Sequence, residues 1–483
     1  MKQQKTVGPF TPQNLRLLAV SVFVVVASVF GWITMFSGGG IFGGGASTYT
    51  VVFDAGSTGN RVHVFKFADT AQGPKLLNEV FHAMKPGFRD VASDASKAAD
   101  LLDPLLVTAL NSVPPNQRKS TKLTLRATAG LRLLPEGPDA AQAIMDAVKG
   151  KLQDTEFAVP DSYVTILDGA DEGAYGWIAV NYLLSKMGKV PEETVAVADL
   201  GGGSTQIMYA VGTDVANGAP DGYIRPLGGA GATYDVYVKS FKGYGIMAAR
   251  AKILQLADSA TGTHPCVPAG FEGGCETKCY GLNPGEGYRA KARAEGADFD
   301  ACLASVREAL TQESSCEAPP CSFAGAWTTP RSTKLYGMSY LYERAEQSKA
   351  MTAPDDSSAP VPITPNDYAE AGAEVCKTPV DEIMAKYPDA EEQHFQYLCL
   401  DVAYAYALLT DGFGLKPGEE LMLVDKIKYN GQAVEAAWAL GDAIAVMEEE
   451  KEEAEAEIEA VNEATGDGED EVVADGEVET EKK

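Results

Sequence analysis

An apolar strand ending in aspartate, then a Gly/Ser/Thr turn, then a second strand: this unit occurs twice in the chain. The first copy is Asp54-Ala-Gly-Ser-Thr-Gly-Asn-Arg61. The second, 145 residues further on, is Asp199-Leu-Gly-Gly-Gly-Ser-Thr-Gln206. Such a turn can aim consecutive backbone N–H groups at a phosphate oxygen and add hydroxyl donors. A carboxylate at the strand end can hold a hard divalent cation, directly or through water. One Gly-rich turn is common. Two with matching aspartates specify two related lobes that clamp a phosphate chain.

The patterning around these turns is α/β. Strands are predicted at residues 49–53, 61–67, 76–84, 122–127, 163–167, 194–198 and 206–211. Helices are predicted at 94–111, 140–152, 172–184, 401–409 and 431–447. Strand-then-helix alternation of this kind builds layered α/β folds. Residues 266–330 are rich in Gly, Pro and Cys and read as irregular; residues 352–365 read as a loop.

Two further segments carry chemistry. Residues 166–177 close a strand and open a helix, and they contain Asp168, Asp171 and Glu172. Hydrolysis of a phosphoanhydride needs an oriented, partly deprotonated water, and a carboxylate is the usual base. Glu172 is the candidate, with Asp168 and Asp171 as rivals. An acidic residue in the first turn of a helix also has a purely structural use, because it complements the helix dipole. Residues 125–132 (Leu125-Arg-Ala-Thr-Ala-Gly-Leu-Arg132) follow a strand, and Thr128 offers a hydroxyl to a phosphate.

Charge and cysteines bound the setting. The net charge is −28, half of it in residues 448–483, which carry 17 acidic and 3 basic residues. That balance argues against nucleic acid as a partner. The acidic stretch lacks aromatic residues and is expected to be disordered. Residues 17–36 form a 20-residue uncharged segment preceded by Lys2, Lys5 and Arg16. This length spans a bilayer as a helix, and the basic flank puts the N-terminus in the cytosol. A cleaved signal peptide is the alternative and delivers the same compartment. All eight cysteines lie between residues 266 and 399, an even number beyond a membrane segment, which suggests disulfides. No Asn-x-Ser/Thr sequence occurs.

The paired turns resemble the phosphate loops of the actin, sugar kinase and heat-shock chaperone ATPase superfamily. Together with residues 125–132, 166–177, 227–245 and 437–441 they resemble the apyrase family, the nucleoside triphosphate diphosphohydrolases, over roughly residues 49–447. The resemblance implies two actin-like (RNase H-like) lobes with the active site in the interlobe cleft. It implies Glu172 as general base, with Ser204 and Gln206 positioning the water. Asp54 and Asp199 would bind Ca²⁺ or Mg²⁺, through its water shell in the family pattern. Gly56, Ser57, Thr58, Gly59, Arg61, Thr128, Gly201, Gly202, Gly203 and Thr205 would bind phosphates, and Trp177 would support the site from behind. Pairs Cys316–Cys321, Cys376–Cys399 and Cys266–Cys302 are implied, leaving Cys275 with Cys279.

Residues 335–345 and 398–413 look like the Golgi and secreted nucleoside diphosphatases within that family. Leu398 stands where cell-surface members carry a base-stacking Tyr; Tyr340 and Tyr404 are the candidates beside the base. The expected layout is a cytosolic tail (1–16), a transmembrane signal anchor (17–36) and a Gly-rich linker (37–48). A first lobe comes next (49–185 plus about 425–447), then a second lobe holding the disulfide-rich region (186–424) and an acidic tail (448–483). The expected activity is removal of the terminal phosphate of UDP, GDP or related nucleotides by a single-pass Golgi protein, with a functional link to glycosyltransferases. A broad apyrase at the cell surface or secreted after cleavage is the second expectation. A non-catalytic nucleotide-binding module is the third, and intact Glu172, Ser204 and Gln206 argue against it.

Overall fold

A computed structural model of the chain describes residues 47–466, apart from 71–72, 230–231, 277–278, 312–314 and 317. The expected cytosolic tail and anchor, and all but the end of the Gly-rich linker, lie outside the described residues, as do residues 467–483. Among the described residues no helix is long and apolar enough to cross a membrane.

The first sheet is built from β1 (Ser47–Ala55), β2 (Asn60–Thr70), β3 (Gly73–Met84), β4 (Lys122–Ala127) and β5 (Val164–Ile166), in the order β3-β2-β1-β4-β5. Val51, Val52 and Phe53 in β1 are all fully buried. A run of consecutive apolar residues suits a strand covered on both faces. β1, β4 and β5 are parallel neighbours, whereas β2 and β3 are antiparallel. Helix α1 (Pro138–Gln153) lies between β4 and β5 in sequence and buries Ala141, Ile144, Met145, Val148 and Leu152. That spacing is one face of a helix. Helix α2 (Gly169–Leu183) comes after β5.

The second sheet takes strands β6 (Ala196–Leu200), β7 (Ser204–Ala210), β8 (Ile224–Gly229) and β9 (Ala232–Lys242). After the hairpin β10 (Glu272–Cys275) and β11 (Tyr288–Lys291) and helix α3 (Phe299–Thr311), it gains β12 (Leu335–Ser339), β13 (Val361–Ile363) and β14 (Leu421–Leu423). Its order is β13-β14-β12-β6-β7-β9-β8. The inner five, β14-β12-β6-β7-β9, repeat the pattern β5-β4-β1-β2-β3. β6, β12 and β14 are parallel neighbours, and β7 and β9 are antiparallel. The duplicated turn is thus part of a duplicated sheet. Helix α4 (Tyr340–Gln347) comes directly after β12, and α5 (Leu398–Ala407) precedes β14. β15 (Lys426–Tyr429) and β16 (Gln432–Glu435) form a hairpin before the last helix, α6 (Trp438–Gly466).

One apolar cluster joins the two sheets. It contains Trp177 of α2 and Leu440 and Ala443 of α6, bounded by Val52 and Phe65 of the first sheet and Val197 and Met208 of the second. The two helices approach closely: a Cβ added at Gly441 would lie 2.1 Å from the Tyr175 carbonyl oxygen. The next residue, Asp442, is fully buried and ties α6 to β4. Its carboxylate accepts from Thr124 Oγ1 at 2.8 Å and from Arg126 Nε at 3.0 Å.

Several expectations need correction. The helix expected at 94–111 is two, Ala95–Asp100 capped by Asp94 and Asp103–Ser112 with Pro104 in its first turn. Proline suits a helix start and interrupts a helix interior. Residues 431–437 are not helical: Asn430 and Gly431 both have positive φ (48° and 84°) and make the two-residue turn between β15 and β16. Asn-Gly is the preferred sequence for that turn. The region 266–330 is not wholly irregular, since it holds β10, β11 and the 13-residue α3. The loop at 352–365 contains β13. The acidic stretch is helical as far as Gly466, as a continuation of α6.

Because Arg126 is largely buried, removing its carboxylate partner strands a charge. We predict that Asp442→Ala destabilises the protein by about 3–5 kcal/mol, the usual cost of breaking a buried ion pair from one side. A urea titration followed by tryptophan fluorescence should show the midpoint fall accordingly.

Candidate active site

The two turns close in the same way. Gly56 N–H donates to the Gly59 carbonyl, and Gly201 N–H donates to the Ser204 carbonyl, each at 3.0 Å. The turns face each other in a cleft lined by Asp54, Gly56, Ser57, Thr58, Arg61 and Thr128 from the first lobe. Asp199, Gly201, Gly202, Gly203 and Ser204 line it from the second. Space requires glycine at 203: a Cβ there would lie 2.1 Å from the Tyr280 hydroxyl and 2.8 Å from the Ala129 Cβ.

Asp54 and Asp199 sit at the ends of β1 and β6, with one carboxylate oxygen each, Oδ1, buried and without a hydrogen-bond partner among the described residues. The other oxygen of Asp54 meets Arg61 Nη1 at 3.1 Å. Burial raises the pKa of both, to about 6 for Asp199, where the Ser339 hydroxyl opposes the shift and the Asp54 charge adds to it. Unpaired carboxylate oxygens facing a polar cleft fit a hard divalent cation. The described residues contain no group of three or more His, Cys, Asp or Glu that could hold a metal directly. Two carboxylates and a hydrated ion match that donor set. Ser339, which lines the cleft with Asp199, has φ of 58° at the start of α4. A non-glycine residue in that region is strained, and such strain is concentrated at functional sites.

Glu172 lies in the first turn of α2. Its Oε2 accepts from Arg132 Nη2 at 2.7 Å and from Gln206 Nε2 at 3.3 Å. Burial pushes its pKa up to about 7; the Arg132 charge works against this, and Asp199 and Asp54 add to it. The rivals point elsewhere. Asp168 caps α2 by accepting from Ala170 N–H at 2.8 Å, and Asp171 pairs with Arg225 at 2.6 Å. Ser204 Oγ and Gln206 Nε2 are 2.9 Å apart, so the three expected catalytic side chains form one cluster. Trp177 is buried behind them, its indole N–H donating to the Val195 carbonyl at 3.0 Å.

Other expected residues are placed differently. Thr205 is fully buried and its hydroxyl donates to the Asp199 carbonyl at 2.7 Å, so it braces the turn from inside. Gly59 does not line the cleft; it packs against β3, where a Cβ would meet the Met84 carbonyl oxygen at 2.6 Å. Tyr340 does line it, under the Arg344 guanidinium at 4.6 Å. Tyr404 does not: it is a core aromatic whose hydroxyl donates to the Tyr244 carbonyl at 2.5 Å. Asp401 sets the Tyr340 wall, because its buried carboxylate holds both Arg250 and Arg344.

The structure also brings in residues that the sequence alone did not place. Glu343, Asp425, Glu435 and Trp438 line the cleft beyond Arg61. Tyr280 reaches it from the disulfide-rich region, with its hydroxyl 2.8 Å from Ser57 Oγ. Trp438 stood in the segment 437–441 that carried the family resemblance; Tyr280 had no local signal. All eight cysteines are paired, as Cys266–Cys302, Cys275–Cys279, Cys316–Cys321 and Cys376–Cys399, the pattern of an oxidising compartment.

Two amide- and hydroxyl-lined turns across a cleft, with a buried carboxylate beside them, suit hydrolysis of a phosphoanhydride. The chain belongs to the GDA1/CD39 (nucleoside phosphatase) family, whose pattern matches residues 45–460. It is 39% identical over 420 residues to Apyrase 1 of Arabidopsis thaliana, covering 84% of this chain and 86% of that one. It is 31% identical over 405 residues to ectonucleoside triphosphate diphosphohydrolase 5 of Gallus gallus, covering 81% and 86%. In fold it matches the crystal structure of nucleoside triphosphate hydrolases from Neospora caninum, with a TM-score of 0.60 at 17% identity, covering 83% of this chain and 92% of that one. The protein is a nucleoside tri- or diphosphate phosphohydrolase of a family that typically uses divalent cations.

Chelation with EDTA should abolish phosphate release, and Ca²⁺ or Mg²⁺ should restore it. In Asp199→Asn the cation concentration for half-maximal activity should rise about 10–100-fold, the usual cost of an altered outer-sphere partner. A titration of activity against free cation reads this directly.

Proposed function

We propose that the protein removes the terminal phosphate of nucleoside diphosphates, with UDP and GDP preferred, by attack of a water activated by Glu172. The observation that carries the chemistry is the position of Glu172. It is a buried carboxylate with a pKa of about 7, hydrogen-bonded into a cluster with Ser204 and Gln206 beside both phosphate loops. A base with a pKa near the working pH combines availability with proton affinity. Glu172 takes a proton from the water as its oxygen bonds to the terminal phosphorus. The bridging P–O bond breaks, and its electron pair stays with the departing monophosphate. Backbone N–H groups of residues 57–58 and 202–203, with the side chains of Ser57, Thr58, Arg61 and Thr128, meet the charge on the phosphoryl oxygens. A Ca²⁺ or Mg²⁺ ion, held by Asp54 and Asp199 through its water shell, would neutralise the phosphate chain.

The diphosphate preference rests on the base side. Leu398 opens α5 as a buried core residue, so no ring at that position reaches the cleft, and Tyr340 and Trp438 are the aromatics in its lining. With residues 17–36 as a single anchor and the folded domain lumenal, such an enzyme in the Golgi would convert the UDP or GDP released by glycosyltransferases to monophosphates. The second reading is a broad apyrase taking ATP and ADP to AMP, at the cell surface or secreted. The higher identity to the plant apyrase (39%, against 31% for the Gallus gallus enzyme) favours it.

Purified full chain should be assayed with UDP, GDP, ADP, UTP and ATP in the presence of Ca²⁺ or Mg²⁺. A kcat/KM for UDP or GDP above those for ATP and ADP supports the first reading; efficient ATP use supports the second. Glu172→Gln should lower kcat by about 10²–10⁴, the scale of general base catalysis. Activity of the unaltered enzyme should rise with pH through about 7, because Glu172 must be ionised to accept the proton.

A further inference from the structure

The hydrogen-bond directions around Glu172 define a role for Arg132. This residue ends the short helical turn Ala129–Arg132 after β4, and its backbone N–H donates to the Thr128 carbonyl at 3.2 Å. Its side chain is nearly buried beside the cleft. A guanidinium can only donate. One nitrogen, Nη2, lies 2.7 Å from Glu172 Oε2 and 3.1 Å from Ser204 Oγ, so its two hydrogens serve those two oxygens. The other, Nη1, donates to the carbonyl of Leu167, the residue directly after β5.

Gln206 adds a second donor. Its amide nitrogen has two hydrogens and three oxygens in reach; the shortest contact, 2.9 Å, is to Ser204 Oγ, with Ser240 Oγ at 3.2 Å and Glu172 Oε2 at 3.3 Å sharing the other hydrogen. Ser204 Oγ therefore receives hydrogen bonds from both Arg132 and Gln206. A hydroxyl has two acceptor lone pairs and one hydrogen. With both lone pairs occupied, the Ser204 hydrogen is the only part of that group left to face the cleft. An attacking water needs acceptors for its two hydrogens, one donor at a lone pair, and its remaining lone pair aimed at phosphorus. Of these, Glu172 supplies an acceptor and Ser204 supplies the donor.

We propose that Arg132 is the positioning residue of the hydrolytic step: a single amino group fixes the Glu172 carboxylate and, by occupying a lone pair of Ser204, turns that hydroxyl into a donor toward the attacking water. The backbone of Thr128, which faces the phosphates, carries Arg132 one helical turn later, so phosphate grip and water alignment share one segment. This inference rests on Glu172 being the base. The charged and titratable groups facing Glu172 are Arg132 from the turn after β4, Asp54 from β1, Asp199 from β6 and Tyr280 from the disulfide-rich region. Among these, Arg132 alone is positive, and it favours the ionised carboxylate.

The test compares Arg132→Gln, Arg132→Lys and Glu172→Gln in the full chain, with cation saturating and thermal unfolding recorded for each. In Arg132→Gln, plateau kcat should fall about 100-fold, the scale for loss of one preorganised donor, while KM stays within about threefold. The acid limb of its pH–rate profile should move up by about one unit, because an opposite charge at this distance lowers a carboxylate pKa by one unit or more. Arg132→Lys keeps the charge but offers no planar fork. Its acid limb should stay near that of the unaltered enzyme while kcat falls about tenfold. If Arg132→Gln does not fold, the Lys variant alone decides, since wild-type kcat in it would refute the two-oxygen bridge. A rise in KM with kcat unchanged, or an unmoved acid limb in Arg132→Gln, would overturn the proposal and make Arg132 a phosphate ligand or a structural residue. An active Glu172→Gln would instead bring down the assignment of the base.

Discussion

Three carboxylates, Asp54, Asp199 and Glu172, are buried within electrostatic reach of one another, and the site is organised around that repulsion. Each has a raised pKa, with desolvation as the first cause and another of the three contributing for Glu172 and Asp199. Two arginines enter at different points. Arg61 pairs with Asp54, and Arg132 pairs with Glu172. A divalent cation between the two strand-terminal aspartates would answer the remaining imbalance. It would also separate the tasks of the carboxylates, because a positive charge beside Asp54 and Asp199 leaves Glu172 as the one free to take a proton. Similar groups thus acquire different roles from their surroundings, as the pairing of shifted carboxylates in acid–base enzymes leads one to expect.

The repeated sheet explains how these groups come to face one another. Each lobe ends its central strand in Asp, turns through glycine with the same closing hydrogen bond, and sets a parallel strand beside it. The lobes differ in the segment after that parallel strand. In the first, β4 leads to Thr128 and Arg132. In the second, β12 leads to Ser339 and Tyr340, which line the cleft. Helices α2 and α6 fill the space between the sheets, and the close approach at Gly441 lets them do so without a side chain between them. Glu172 sits at the start of α2, which places the proposed base at the junction of both lobes.

The parts legible in the sequence were those whose cause is local. A strand-terminal Asp before a Gly-rich turn fixes its own geometry through hydrogen bonds a few residues apart, so both loops could be read from Asp54 and Asp199. The first-turn Glu172 could be read only with rivals, because Asp168 and Asp171 share its local setting. Packing separated them, by making one a helix cap and the other a partner of Arg225. Tyr404 failed as a base contact for the complementary reason. An aromatic on an apolar helix satisfies a core as well as a ligand, and here its hydroxyl finds the Tyr244 carbonyl. The Asn430-Gly431 turn was a local signal overlooked beneath the helical period that comes after it. The helix through 448–466 runs on from a buried start at Trp438, so its first turns are held by packing that composition does not reveal.

Tyr280 marks the limit of local reading and shows what the disulfide-rich region does for the site. It comes directly after Cys279, whose bond to Cys275 closes a loop only a few residues long, and 223 residues separate it from the Ser57 hydroxyl it meets. Its ring lies under the Arg89 guanidinium at 4.3 Å, a cation–π contact that holds it against the first lobe. Its hydroxyl also fills the space a side chain at Gly203 would need. A segment inserted in the second lobe therefore touches both phosphate loops at once. The third glycine of the second loop is required by this contact, since even a methyl group there would push Tyr280 from Ser57 and crowd the Ala129 Cβ. The cysteines thus bear on the geometry of the cleft: a short covalent loop places one tyrosine where the two lobes meet.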